Sequence, residues 1–421
     1  MKLNQNEYEN LIITDYNLKA PLDYSLQKRK HISIFARRVS RLENSKKSMP
    51  CIIFFQGGPG YESPRPLSDS GWIKRASKSY DIILIDQRGT GLSEPISAES
   101  IINMSDNEIA EYLTFFRADN IIRDAELLRK KLIGHERWSV LGQSFGGFCA
   151  MTYLSSYPES LHKVFITGGI PPLKAHPDDI YRSTYKRVLD KNHLFYKLFP
   201  NAKLNAKKIS QYLNRNNVYL PNGDLLSVKR FQQLGLSLGF SDGMATLNFL
   251  FERAFIDDKI SHFFLKQVLM MQTFDTNPLF TVLHEACYAQ EFSTEWSAQR
   301  ILNEYSEFNY KESTEFFFTG EMLYPWMLDD YNALKPFKKA ANILAQKKDW
   351  PILYNEDVLR QNKVPIAAAV YTNDMYVDRD FSINFAENIP NMNIWETNLL
   401  EHNALRSNGE KVLDSLFKRI S

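Results

Sequence analysis

The chain of 421 residues is 44% hydrophobic and 24% charged, a globular composition that excludes disordered and collagen-like proteins. Its 51 Lys and Arg residues nearly balance its 49 Asp and Glu residues, so the charge favours neither nucleic acid nor an anionic membrane as a partner. Three widely spaced cysteines, a polar N-terminal segment and the lack of any apolar run near the ~20 residues that span a bilayer predict a soluble, cytoplasmic protein without a disulfide framework.

The N-terminal part of the chain alternates predicted strands with predicted helices. Residues Ile32–Val39 alternate roughly between apolar and polar, which is typical of a strand. Short apolar runs bounded by turn residues predict four strands buried on both faces: Cys51–Phe55, Ile82–Ile85, Trp138–Leu141 and Val164–Thr167. Apolar residues at helical spacing predict helices over Asn120–Ile133 and Phe148–Tyr157. This alternation indicates an α/β fold with a mostly parallel central sheet.

The pattern changes at the Pro171-Pro172 pair. Residues 171–350 contain no convincing buried strand, and they hold more than half of the chain's 28 Phe, 21 Tyr and 6 Trp residues. The buried-strand pattern returns at Ile366–Tyr371, and Met392–Thr397 is a further candidate strand. We therefore predict an α/β core built from residues 1–170 and 351–421, interrupted by a helical insertion over residues 171–350.

A nucleophile is predicted where one of the buried strands ends. The sequence Gly142-Gln143-Ser144-Phe145-Gly146 fits G-x-S-x-G, follows the strand Trp138–Leu141 and precedes a helix. A sharp turn in this context exposes the serine hydroxyl at the carboxyl edge of the sheet, and the glycines relieve the crowding. A glycine-rich turn with an incidental serine is the alternative. We expect Ser144 to be the nucleophile of an α/β-hydrolase.

A serine nucleophile needs a base, and the base needs an acid that orients it. In α/β-hydrolases these follow the serine in the order acid, then histidine. His402 is the late histidine in a suitable loop, and Asp374 lies 28 residues before it, directly after the strand Ile366–Tyr371. Asp378 in the same loop is the alternative acid. We predict His402 as the base and Asp374 as the acid.

Two further motifs follow buried strands. After Cys51–Phe55 comes Gln56-Gly57-Gly58-Pro59-Gly60, in which the N–H groups of Gly57 and Gly58 can turn toward a developing oxyanion, together with the N–H of Phe145. After Ile82–Ile85 comes DQRGTGLS, for which we expect a structural role: Asp86 and Arg88 brace the loop under the site.

Together, GGPG, DQRGTGLS, GQSFGG and the late Asp and His resemble the proline iminopeptidases (prolyl aminopeptidases), serine peptidases of the α/β-hydrolase superfamily. Segments such as residues 320–327, 347–359 and 368–382 resemble the longer, roughly 400-residue branch of that family. The resemblance implies release of N-terminal proline from peptides by Ser144, His402 and Asp374, with no cofactor and no metal. Gln56 replaces the family's usual His before GGPG, and Phe145 replaces its usual Trp, but both changes keep the backbone donors.

The resemblance also implies a helical cap over the active site, which the insertion at 171–350 can supply. Aminopeptidases of this type hold the substrate's imino nitrogen with cap carboxylates, because a protonated amine in an apolar pocket needs a negative partner. Glu285 and Glu321 are the candidates, since each sits among apolar or aromatic neighbours in the sequence. The aromatic residues of the insertion are expected to form a pocket for the proline ring.

Other functions stay open at this point. A carboxylester hydrolase with the same triad would have no use for an amine-binding carboxylate. A catalytically silent binding protein of this fold would not need all of Ser144, Asp374 and His402. His284-Glu285 is not a zinc motif, because HExxH would need a histidine where Tyr288 stands.

Overall fold

The computed structural model describes residues 1–26, 30–312 and 314–420. The strands are, in chain order, β1 (Lys2–Tyr8), β2 (Leu11–Pro21), β3 (His31–Arg41), β4 (Cys51–Phe55), β5 (Asp81–Ile85), β6 (Trp138–Gln143), β7 (Leu161–Thr167), β8 (Phe255–Ile256), β9 (Lys259–Ile260), β10 (Ile366–Tyr371) and β11 (Met392–Thr397).

The α-helices lie between and after these strands. They are α1 (Gly71–Ser77), α2 (Asp106–Thr114), α3 (Ala118–Ile133), α4 (Phe145–Ser156), α5 (Pro177–Leu198), α6 (Pro200–Arg215), α7 (Val228–Gln232), α8 (Gly243–Glu252), α9 (His262–Met271), α10 (Pro278–Leu283), α11 (Ser297–Leu302), α12 (Met327–Asp330), α13 (Lys338–Gln346), α14 (Glu356–Arg360), α15 (Arg379–Ala386), α16 (Ala404–Ser407) and α17 (Gly409–Phe417). In the described part of the chain, no helix is long and apolar enough to cross a membrane.

Nine strands form one twisted sheet in the order β1-β2-β3-β5-β4-β6-β7-β10-β11. The neighbours from β5 to β11 run parallel, and β1, β2 and β3 add an antiparallel extension. The mostly parallel α/β sheet is therefore confirmed. Strands β1 and β2 are not predicted from the sequence. β1 is exposed along its whole length and β2 is only partly buried, so neither has a continuous apolar run.

The central strands are buried on both faces, as their continuous apolar runs indicate. In β4, Ile52 and Phe54 pack on the side of α1 and α17, while Ile53 and Phe55 pack on the side of α3 and α4. This alternation follows from the two-residue period of a strand. It leaves the carboxyl ends of the parallel strands as the edge where polar loops gather.

The described residues between 171 and 350 are mainly helical, from α5 to α13. They add no strand to the nine-stranded sheet and contain only the short antiparallel pair β8 and β9 beyond an isolated bridge. Much of their aromatic content packs inside this segment: the rings of Phe251 and Phe318 stack at 5.6 Å, and those of Phe231 and Phe316 at 5.0 Å. The division of the chain at residues 170 and 350 stays a prediction.

Candidate active site

Ser144 occupies a strained turn between β6 and α4. Its φ is 55° and its ψ is −126°, a conformation that non-glycine residues rarely adopt. Its backbone N–H donates to the carbonyl of Thr167 at 3.0 Å, and its own carbonyl accepts from Gly147 N–H at 2.7 Å. These bonds hold the strained residue between the ends of β6 and β7.

The glycines around Ser144 permit very close backbone contact. A Cβ on Gly146 would overlap the carbonyl oxygen of Phe55, and one on Gly147 would overlap that of Gly169. Both glycines lie inside helix α4, which begins at Phe145, directly after the serine, and not at Phe148 as the sequence pattern predicts. The glycine pair is the part of the helix that packs against the sheet edge.

Asp374 and His402 meet at the carboxyl ends of β10 and β11. The Nδ1 atom of His402 lies 2.7 Å from Oδ2 of Asp374, and both side chains are buried. The other carboxylate oxygen, Oδ1, accepts the backbone N–H groups of Tyr376 at 2.8 Å and Val377 at 3.1 Å. The aspartate is thus fixed by its own loop, and proton exchange with any other group falls to Nε2 of the imidazole.

The pKa of His402 is raised above its ordinary value. Burial lowers this pKa, but the negative charge and hydrogen bond of Asp374 outweigh that effect, with smaller contributions from Glu321 and Glu401. The ring of Tyr376 packs on the imidazole with the ring centroids 4.5 Å apart. The histidine is therefore held in place by one charged and one aromatic neighbour.

Asp378, the alternative acid, is engaged elsewhere. It caps the N-terminus of α15, where its carboxylate accepts the N–H groups of Asp380 and Phe381. It also accepts from the Ser183 hydroxyl at 2.7 Å and from Nε of Arg187 at 3.1 Å. Although burial raises its pKa, these hydrogen bonds lower it overall. The structure pairs His402 with Asp374.

The loop after β4 lies against the serine. A Cβ on Gly57 would stand 3.0 Å from Cβ of Ser144, so this backbone passes directly beside the nucleophile candidate. Gly58 has a φ of +130°. Phe145 is the first residue of α4, and its N–H is one of the helix-terminal donors that have no acceptor within the helix. The three predicted donors thus come from segments that flank Ser144.

Asp86 and Arg88 form a buried scaffold behind this loop. Arg88 makes a two-pronged ion pair with Asp124 of α3, both distances being 2.7 Å, and both side chains are fully buried. Asp86 accepts from both terminal nitrogens of Arg65 at 2.9 Å and from Ser63 N–H at 3.1 Å. These contacts fit the structural role expected for the motif.

Ser144 and His402 open onto one cavity of about 490 Å³, which we call the Ser144 cavity. The core contributes Gln56, Gly57, Gly58, Gln143 and the loop residues near His402, and the segment 171–350 contributes apolar side chains. The apolar and aromatic walls include Tyr61, Leu236, Phe240, Met271, Phe280 and Tyr376. Phe240 and Phe280 belong to the aromatic residues of 171–350 that are expected to form a pocket, although the sequence does not single them out. Tyr61 follows GGPG and Tyr376 lies two residues after Asp374, so their place near the site can be inferred from the sequence.

Glu321 projects into the Ser144 cavity without a cation beside it. Its side chain is 17% exposed, and its nearest charged-type neighbour is Nε2 of His284 at 3.9 Å. Burial lowers the pKa of His284 to about 3, so that ring is neutral near pH 7. Burial raises the pKa of Glu321 to about 8, an effect that the positive charge of His402 only partly opposes. None of the described residues places a cation within ion-pair distance of this carboxyl, so it can accept a positively charged group from a substrate.

Glu285 does not reach the Ser144 cavity, and its predicted role in amine binding does not fit the structure. Its carboxylate accepts the backbone N–H groups of Ser297 at 3.0 Å and Ala298 at 2.9 Å, at the start of α11. Burial raises its pKa to about 7 against these hydrogen bonds. The buried, apolar sequence context that suggested a ligand site reflects a structural contact within the segment.

The chain is similar to known proteins over most of its length. A family model for the α/β-hydrolase fold matches residues 50–207. The chain is 46% identical over 387 residues to a proline iminopeptidase of Aeromonas sobria, covering 92% of this chain and 91% of that protein. It is 32% identical to a proline iminopeptidase of Aspergillus aculeatus, covering 96% of this chain and 92% of that protein. The chain belongs to the proline iminopeptidase family of the α/β-hydrolase superfamily.

Proposed function

We propose that this protein is a serine aminopeptidase that releases N-terminal proline from peptides through a Ser144–His402–Asp374 triad. The observation that carries the proposal is the Ser144 cavity, which joins a strained serine and a carboxylate-bound histidine to an unpaired carboxyl, Glu321. The named activity of the relatives from Aeromonas sobria and Aspergillus aculeatus supports the same substrate.

The proposed reaction begins with the attack of Ser144 Oγ on the carbonyl carbon of the N-terminal residue. Nε2 of neutral His402 accepts the hydroxyl proton, while Asp374 holds Nδ1 and stabilises the imidazolium that forms. The carbonyl oxygen becomes an oxyanion, and the N–H groups of Gly57, Gly58 and Phe145 are the proposed donors to it. His402 then gives its proton to the leaving amine as the peptide C–N bond breaks.

The second half of the reaction releases proline. Water attacks the prolyl ester on Ser144 and gives a proton to Nε2 of His402. The ester C–O bond breaks, Oγ receives the proton from Nε2, and proline leaves as a carboxylic acid that loses its remaining proton to solvent. Every step uses groups of this chain, the substrate and water.

Substrate recognition is assigned to residues 171–350 acting as a cap. The apolar side chains that this segment places in the Ser144 cavity suit the hydrocarbon ring of proline. We propose that Glu321 binds the protonated imino nitrogen, because a desolvated carboxyl is most stable beside a cation. A substrate without a free amine would leave Glu321 buried and unpaired.

A carboxylester hydrolase with the same triad is the alternative, and substrate comparison separates the two functions. The test measures hydrolysis of a prolyl amide, an alanyl amide, an N-acetyl-prolyl amide and a simple acyl ester. We expect the prolyl amide to be the best of the three amides and the N-acetylated one to be a poor substrate. Equal turnover of free and N-acetylated prolyl amides would contradict the aminopeptidase function and favour the esterase.

A further inference from the structure

Helix α5 presents three polar side chains to the core. Ser183, Arg187 and Lys191 are spaced four residues apart, so they lie on one face of the helix. The first two bind Asp378, as described above, and Nζ of Lys191 lies 2.6 Å from Oε1 of Glu401. One helix of the segment 171–350 therefore holds two separate core loops.

These two loops are the ones that carry Asp374 and His402. Asp378 stands four residues after Asp374, and Glu401 directly precedes His402. Two more hydrogen bonds join the segment 171–350 to these loops. The Tyr376 hydroxyl donates to the carbonyl of Leu236, and the N–H of Ser241 donates to Oδ1 of Asn403 at 3.0 Å. The acid and base loops are thus fastened to the segment that covers them.

The Lys191–Glu401 pair is partly desolvated, and the hydrogen bonding of Glu401 is incomplete. The side chain of Lys191 is 4% exposed and that of Glu401 is 27% exposed. The second carboxylate oxygen of Glu401, Oε2, is buried and accepts no hydrogen bond. A buried ion pair with an unsatisfied oxygen contributes little to stability, because the loss of hydration offsets the attraction between the charges. Its position beside His402 suggests a role in the chemistry.

We propose that Lys191 and Glu401 are positioning residues for His402: the ion pair fixes the loop that carries the base and balances the charge beside the imidazole. This inference rests on the proposed function, because it takes His402 as the base. It adds that a helix outside the α/β core controls the protonation of a residue within it.

The sign of the effect follows from the charges around the ring. The titratable groups that face His402 are Asp374, Glu321, Glu401 and Tyr376. A negative Glu401 stabilises the imidazolium, and Lys191 opposes that influence. Loss of the Glu401 charge therefore disfavours the imidazolium, whereas loss of the Lys191 charge favours it.

The experiment measures kcat/KM for a prolyl amide from about pH 5 to pH 9 in Glu401→Gln, Lys191→Met and the double variant. The acid limb of this profile is the fall in kcat/KM at low pH that follows protonation of His402. We expect it to move to lower pH in Glu401→Gln and to higher pH in Lys191→Met, each by about half a pH unit or more. The double variant, which lacks both charges, should return close to the wild-type limb.

Arg182→Met is the matched control. Arg182 also lies on α5 and forms an exposed ion pair with Glu304, at 2.8 Å, away from His402, so its loss should leave the acid limb in place. A limb that stays fixed in either single variant, or moves the same way in both, would overturn the positioning role. His402→Ala separates the two proposals: if that variant remained active, the base assignment itself would fail.

Discussion

The replacement Glu321→Gln tests whether Glu321 binds the protonated imino nitrogen of the substrate, a role that we call the amine anchor. Truncating one partner of a desolvated charge pair costs about 2–5 kcal/mol. In the free enzyme, burial raises the pKa of Glu321 to about 8, so ionising this carboxyl at pH 7 costs roughly 1.4 kcal/mol, which reduces the benefit of the pair. The net loss is about 0.6–3.6 kcal/mol, so we expect kcat/KM for a prolyl amide to fall by between about threefold and several hundredfold.

The pH dependence of this loss gives a second, independent signature. A carboxyl with a raised pKa becomes negative only as the pH rises through about 8. The ratio of wild-type to Glu321→Gln activity should therefore grow between about pH 6 and pH 8, since the glutamine never ionises. An activated acetate ester, which has no amine, should be hydrolysed at nearly the same rate by both proteins on the plateau above the acid limb. On the limb itself Glu321→Gln should not be slower, because loss of the Glu321 charge lowers the pKa of His402.

Glu285→Gln is the matched control, because it makes the same change at a buried glutamate that lies outside the Ser144 cavity. We expect it to leave the ratio of amide to ester hydrolysis unchanged. Steady-state kinetics on both substrates, with thermal unfolding as a check on the fold, completes the assay. If Glu321→Gln spared prolyl-amide hydrolysis, or if it slowed ester hydrolysis equally, the amine-anchor proposal would be refuted.

Three further predictions concern the triad. Ser144→Ala should retain the fold by circular dichroism and lower kcat by on the order of 10⁴-fold or more, and near wild-type peptidase activity would exclude Ser144 as the nucleophile. Asp374→Asn should lower kcat strongly. Asp378→Asn should mainly weaken the N-terminus of α15 and the contact with Arg187, which thermal unfolding measures. The reverse pattern would assign the acid role to Asp378. The acid limb of kcat/KM should lie above pH ~6.5, the pKa of an ordinary histidine. The raised pKa of His402 keeps the ring protonated to higher pH, and a protonated ring cannot accept the serine proton. A limb well below that value would contradict the role of Asp374.

The sequence predicted the central sheet because its strands combine strong local signals with strong burial. The runs Cys51–Phe55 and Ile366–Tyr371 coincide with β4 and β10 in the structure. The edge strand β1 gives no such signal, since a solvated strand has no need of a continuous apolar run, and β2 beside it is only partly buried. The start of α4 was placed three residues too late because glycines weaken helices in general, whereas Gly146 and Gly147 are required here by close packing.

The candidate site shows a similar division. Ser144, Asp374 and His402 follow strand ends, and the carboxyl ends of parallel strands converge, so their neighbourhood could be inferred from position alone. Glu285 and Glu321 could not be distinguished, because both stand in apolar sequence and only the packing of α11 shows which carboxylate is occupied. The Lys191–Glu401 pair joins residues 210 positions apart, and no local pattern encodes such a contact.

The shared lining of the Ser144 cavity has a practical consequence for enzyme engineering. Leu236, Met271 and Thr273 face the cavity from the segment 171–350, whereas the serine and histidine are supplied by other segments of the chain. The hydrogen bond that Tyr376 donates to Leu236 is accepted by the backbone carbonyl, so the Leu236 side chain can vary without loss of that bond. A combinatorial library at these three positions would therefore sample new acyl-group preferences while the reactive machinery stays constant.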